Sequence, residues 1–121
     1  MRLRLFKTRQ FADAASKVWI CDSQLREAFG QLLRGQADNL GGGVWKKRLI
    51  QNRHRSIVLA KGRHYWVYQL LFDKQDQSNI SPKDLAWFRV MAKAYEGLNE
   101  TQIQQLLDRK DFVEIHHDQK I

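Results

Sequence analysis

The sequence predicts an α+β fold: a small antiparallel sheet of about four strands with an N-terminal helical hairpin and C-terminal helices. Three observations predict it. Apolar residues recur at helical spacing from Phe11 to Trp19 and again from Leu25 to Leu33. Three strand-like runs, Val44–Ile50, Arg55–Ala60 and His64–Phe72, follow one another across short polar turns. Ser81-Pro82 then opens a capped helix.

Met1 to Lys7 alternates as a strand does, with Leu3 and Leu5 on one face and Arg2 and Arg4 on the other. Thr8 can cap the next helix, whose residues Phe11, Ala14, Ala15, Val18 and Trp19 fall on one stripe. Asp22 or Ser23 starts a second helix, with Leu25, Ala28, Phe29, Leu32 and Leu33 inward and Gly35 where a left-handed C-cap is wanted. The two read as a hairpin packed on the sheet. Gln36 to Gly43 is polar and glycine-rich and reads as a connection into the basic strand. Alternate side chains of a strand take opposite faces, so Lys46 and Arg48 share one face, and Trp45, Lys47 and Leu49 the other. Lys61-Gly62-Arg63 is a tight turn that makes the last two strands antiparallel neighbours. His64 to Phe72 is apolar on both faces, as a central, covered strand is.

After a polar loop, Ser81 stands as N-cap, with Pro82 in the first turn and Asp84 three residues on. Leu85, Phe88, Ala92 and Tyr95 line one side of that helix, and Trp87, Met91 and Ala94 adjoin them. This is more apolar surface than one small domain needs, and the surplus is expected to meet a partner. Asn99 caps a last helix with Ile103, Leu106 and Leu107 inward, and Phe112 to Ile115 forms a final strand.

The 121 residues are expected to form a single domain over positions 1–121, large enough for one core. A hydrophobic share of 43%, with four Trp, three Tyr and six Phe, excludes a disordered chain although 28% of residues are charged. The formal net charge of +8 points to an anionic partner: nucleic acid, a ribonucleoprotein or an acidic protein. No apolar run reaches the roughly 20 residues of a membrane span, and the N-terminus is too poor in apolar residues for a signal peptide. Cys21 is the single cysteine, so no internal disulfide forms and a cytoplasmic protein is expected.

His54, His64, His116 and His117 are the four histidines, with no zinc-ligand spacing among them, so no metal or other cofactor is expected. Cys21 precedes a helix, a setting that favours a thiolate, but no base stands near it in the sequence. Asp73 and Asp76 read as turn or cap residues. The cations between Lys46 and Arg55 remain. They form either a solvated strand edge, where lysines discourage aggregation, or a phosphate site. Attack of a ribose 2′-hydroxyl on the adjacent phosphodiester needs a base, charge stabilisation at the non-bridging oxygens and an acid for the departing 5′-oxygen. A lysine crowded by other cations suits the base, here Lys46, while arginines stay charged and stabilise the transition state. His54 is the competing acid or base. Each aimed donor is worth on the order of 3 kcal/mol.

Gly42-Gly43-Val44-Trp45-Lys46-Lys47-Arg48-Leu49, the basic turn ending in Arg55 ahead of Ser56-Ile57-Val58-Leu59, the long strand to Phe72, and Lys74 through Asn79-Ile80-Ser81-Pro82 follow one another in a telling order. Together they resemble the RelE/ParE superfamily of bacterial type II toxins, in particular its RelE-like, HigB-like branch. The likeness covers most of the chain. It implies a metal-independent endoribonuclease, an mRNA interferase that cuts messages on the ribosome, held inactive by a cognate antitoxin, commonly of helix-turn-helix type. Carried over by position, the paired strand cations look like Lys46 and Arg48, the arginine opening the next strand like Arg55, and the loop cation like Lys74. With His54 these form the expected catalytic set, and Lys47, Arg53, Lys61 and Arg63 are expected to hold RNA phosphates. Where the branch reads K-N-E-R, this chain has Lys74-Gln75-Asp76-Gln77, and Arg53 and His54 stand where many relatives have glycines.

Two other functions share these features. ParE-like relatives have the same fold and inhibit DNA gyrase, cutting no RNA. A plain nucleic-acid-binding module would hold phosphates with the same cations and stack bases on Trp45, Tyr65 or Trp66, residues that otherwise belong to the core. The dense basic face of Lys46, Arg48 and Arg55 favours RNA cleavage.

Overall fold

Alternation of apolar residues along the strands gives the sheet two adhesive faces, and helices cover both. The computed structural model describes residues 3–49, 53–61, 65–75 and 80–115. Its elements are β1 (Arg4–Thr8), α1 (Arg9–Lys17), α2 (Asp22–Leu33), β2 (Asp38–Gly41), β3 (Val44–Leu49), β4 (His54–Lys61), β5 (Tyr65–Asp73), α3 (Pro82–Glu96), α4 (Glu100–Asp108) and β6 (Phe112–Ile115). The sheet order is β2-β3-β4-β5-β1-β6. All neighbours are antiparallel except β1 and β5, which are parallel.

On one face Leu5, Leu49, Val58, Tyr68 and Ile115 pack with Phe11 and Ala15 of α1 and with Leu25, Ala28, Phe29 and Leu32 of α2. The Tyr68 hydroxyl, buried with its ring, donates to the Leu25 carbonyl at 2.8 Å and ties α2 to the central strand. Burial pushes that phenol's pKa far up, so it stays a donor. On the other face Val44, Ile57, Leu59 and Phe72 pack under Phe88 and Ala92 of α3, and Phe6, Val67 and Phe112 under Ile103 of α4. Gln69, passed over where the register shifts between Ile57 and Val58, accepts from the Tyr95 hydroxyl of α3 at 2.8 Å.

The caps follow the sequence. Thr8 accepts from the Phe11 N–H at 3.0 Å, Ser81 from that of Asp84 at 3.1 Å, and Asn99 from that of Gln102 at 2.8 Å. Gly35 has φ +91 just past α2, the left-handed backbone its position calls for.

Several expectations are corrected. The sheet has six strands rather than about four, and it is not wholly antiparallel. Asp38–Gly41, read as connection, is an edge strand whose first two residues are exposed, so it carries no apolar alternation to betray it. The N-terminal helices do not form a mutually packed hairpin: α1 lies over β1, β5 and β6, and α2 over β3. α1 stops at Lys17 because Trp19 takes φ +64, which leaves Trp19 89% exposed and Val18 outside the buried stripe. Leu33 also faces solvent. The apolar surplus on α3 consists of Trp87 and Val90, both exposed, whereas Met91 packs against the core. Ile50, His64, Asn79, His116 and His117 lie outside the described residues.

Candidate phosphate site on β3 and β4

The pleat of β3 sorts its three consecutive cations. Lys46 stands opposite Ile57, and Arg48 opposite Arg55, so all three cations share the face that α3 covers further along. Lys47 stands opposite Ser56, on the face of Trp45 and Leu49. The structure thus brings Lys46, Arg48 and Arg55 together and separates Lys47 from them by the thickness of the sheet.

Arg48 is exposed, and among the described residues it has no ion pair or hydrogen bond from its side chain. Arg55 is buried, and its Nη1 lies 3.4 Å from the His54 carbonyl as donor. Two arginines directly opposite on adjacent strands repel each other. Lys46 Nζ lies 3.8 Å from Asp38 Oδ2, across the β2–β3 pair. Asp38 is a neighbour of these cations that the sequence conceals, because it sits on the strand that reads as a loop.

His54 does not join the triad. It stands opposite Leu49, on the far face, buried, and its Nδ1 has no partner among the described residues. Arg53 is exposed at the start of β4, with its Nε 3.5 Å from Asp73 Oδ2. That carboxyl is held below the usual carboxylate range, first by the Gln75 N–H at 2.8 Å and then by the charge of Arg53. Lys74 is exposed in the turn after β5, and its N–H donates to the Arg53 carbonyl at 3.0 Å. It therefore lies at the end of the sheet where β4 opens, near Arg55. Lys61 ends β4, opposite Tyr65, at the other end of that strand. Arg63 lies outside the described residues.

A cavity of ≈ 450 Å3 is lined by Gly35, Gln36, Ala37, Asp38, Lys46, Lys47 and Arg48. A larger one of ≈ 720 Å3 lies over α1, between residues such as Asp13, Lys17 and Asp111, and includes none of the β3 cations. Trp45 and Trp66, candidates for base stacking, are partly buried against the α2 side of the core, with ring centroids 6.0 Å apart. Among the described residues no three His, Cys, Asp or Glu side chains gather as metal ligands would. No helix among them is long and apolar enough to cross a membrane.

A family model described as the RelE toxin of the RelE / RelB toxin-antitoxin system matches residues 3–115. No curated protein and no solved structure gives a significant match.

Proposed function

We propose that this chain, which belongs to the RelE toxin family and is the toxin of a toxin-antitoxin system, acts as a ribosome-dependent mRNA endonuclease of the cytoplasm. Membership implies a cognate antitoxin as partner, and we take it to be of helix-turn-helix type. One observation carries the catalytic reading: Arg48 and Arg55 face each other directly, with Lys46 two residues back on the same face. A phosphodiester lying at that face can pair with both guanidiniums at once.

The chemistry follows from the groups on that face. Lys46, as base, takes the proton of the ribose 2′-hydroxyl. The 2′-oxygen bonds to phosphorus and the bond to the 5′-oxygen breaks, leaving a 2′,3′-cyclic phosphate on one fragment. Arg48 and Arg55 hold the non-bridging oxygens as charge grows on them. Lys74 delivers the proton to the departing 5′-oxygen, a role its place beside the opening of β4 favours over buried His54 on the other face. The narrower assignment to a HigB-like branch rests on the loop from Lys74 to Ser81.

Induced expression in bacteria, with primer extension to map message ends, tests this reading. Growth arrest with cuts inside translated codons is expected, lost in Lys46→Ala and Arg55→Ala at equal protein levels. Arrest without cuts would redirect the assignment to a gyrase-type target. Absence of arrest would favour a plain binding module.

A further inference from the structure

β2 pairs with β3 only as far as Asp38 opposite Lys46. From Lys47 onward the outer edge of β3 therefore has no strand beside it among the described residues, and the ≈ 450 Å3 cavity opens there. Its lining holds three cations, Lys46, Lys47 and Arg48, against one carboxylate, Asp38, which is already engaged with Lys46. Side chains from both faces of the strand reach it around the open edge.

Lys47 is the anomaly. It is only 6% exposed, yet among the described residues its ammonium has no ion pair or hydrogen bond. Its stem is what is buried: the ammonium is not among the sealed polar atoms, and Lys47 lines the cavity. Burial, and secondarily the charge of Arg48, lower its pKa. An anion in the cavity that Lys47 lines would give this ammonium the ion pair it lacks among the described residues.

We propose that this cavity is a second phosphate subsite, in which Lys47 holds the RNA phosphodiester neighbouring the one gripped by Lys46, Arg48 and Arg55. The inference rests on the RNA reading of that face. Successive residues of β3 lie about 3.8 Å apart and point to opposite faces, so a single strand of RNA draped over the open edge meets cations on both sides. The cavity is of the size of small-ligand sites and too small for a helix. Of the three cations that line the cavity, Lys47 is the one on the opposite face from Arg55, so it is the one left to meet the second phosphodiester.

The test is fluorescence anisotropy with a short 2′-O-methyl oligoribonucleotide, which binds but has no hydroxyl for attack, titrated over a range of salt. Lys47→Met is expected to weaken binding about tenfold and to reduce the salt slope by roughly 0.7. Gln36→Glu, an exposed change that places a carboxylate at the cavity with Lys47 intact, is expected to weaken binding in the same direction. Lys17→Met on α1 removes the same charge elsewhere and serves as the comparison for net charge alone. The proposal is overturned if a folded Lys47→Met binds as the wild type does, or if it weakens binding no more than Lys17→Met. It is equally overturned if the wild type does not bind the oligonucleotide, or if a short oligoglutamate displaces it at equal concentration. Should Lys47→Met not fold, Gln36→Glu decides: unchanged affinity overturns the subsite. Because the probe cannot be cut, a failure of the nuclease reading leaves these outcomes legible on their own.

Discussion

The face of the sheet beneath α3 is apolar at one end and cationic at the other, and the same two strands carry both halves. At the apolar end Val44, Ile57 and Leu59 are wholly buried under Phe88 and Ala92. Contact there is so close that a Cβ on Gly43, whose φ is +84, would stand 3.2 Å from the Ala92 Cβ. At the other end Arg48 confronts Arg55 with no helix residue of the core cluster between them. Apolar burial stabilises the first half, while like-charge repulsion works against the second. One face of a single pair of strands thus carries a stabilising half beside the Gly43 end and a charged half beside the Arg55 end.

The comparison is sharpest in a pair of substitutions, one at each end. Lys46→Ala is expected to lower ribosome-dependent cleavage by about 10²–10³-fold, the usual cost of a group aimed at the reacting phosphate. Its thermal midpoint should fall by less than that of Phe88→Ala, because the Asp38 pair it breaks is long, at 3.8 Å, and its carboxylate is 64% exposed. Cleavage at the wild-type rate would remove Lys46 from the chemistry. Phe88→Ala should do the reverse, costing about 3–5 kcal/mol of stability for a buried ring while cleavage per folded molecule persists. Urea unfolding read beside single-turnover cleavage separates the two, and equal losses in both readouts would dissolve the distinction between the halves.

The apolar half was largely legible in the sequence and the charged half only in part. The stripe of α2 apart from Leu33, that of α3, and the caps at Thr8, Ser81 and Asn99 are local signals, and each stands where its residues point. The shared face of Lys46 and Arg48 follows from strand parity alone. Their meeting with Arg55 needed the register Arg48↔Arg55, which is a tertiary fact. The placement of His54, the competing acid or base, is tertiary too: one residue from Arg55 in sequence, it lies on the opposite side of the sheet. β2 was invisible because an exposed edge strand of Asp, Asn, Leu and Gly carries no period, and with it went both Asp38 and the cavity wall. Trp19 escaped because a tryptophan at positive φ runs against steric preference, and helical spacing had placed it inside.

A smaller effect tests the repulsion itself. Arg48→Glu replaces a like-charge pair by an opposite one across β3 and β4, so it should raise stability by about 0.2–1 kcal/mol while abolishing cleavage. The two readouts move in opposite directions, a signature that a purely structural role for Arg48 does not produce. A loss of stability would mean that Arg48 and Arg55 are not in conflict in the free protein.

The smallest expected effect lies at the edge of the charged half, where Asp73 steadies the start of β4 through Arg53. Its carboxyl sits below its ordinary pKa of 3.8, chiefly because the charged form accepts the Gln75 N–H and secondarily because Arg53 is near. A group whose folded pKa is depressed contributes stability that is present above the unfolded value and lost as pH falls through the folded one. Wild type should therefore exceed Asp73→Asn in stability at neutral pH, with the gap closing below pH about 4 as the carboxyl protonates. Urea midpoints of both proteins followed from neutral pH down into the acid range read this directly. A gap that stays constant through the acid limb would show that Asp73 acts by shape rather than charge, and the contrast between the halves would then stop short of the β4 opening.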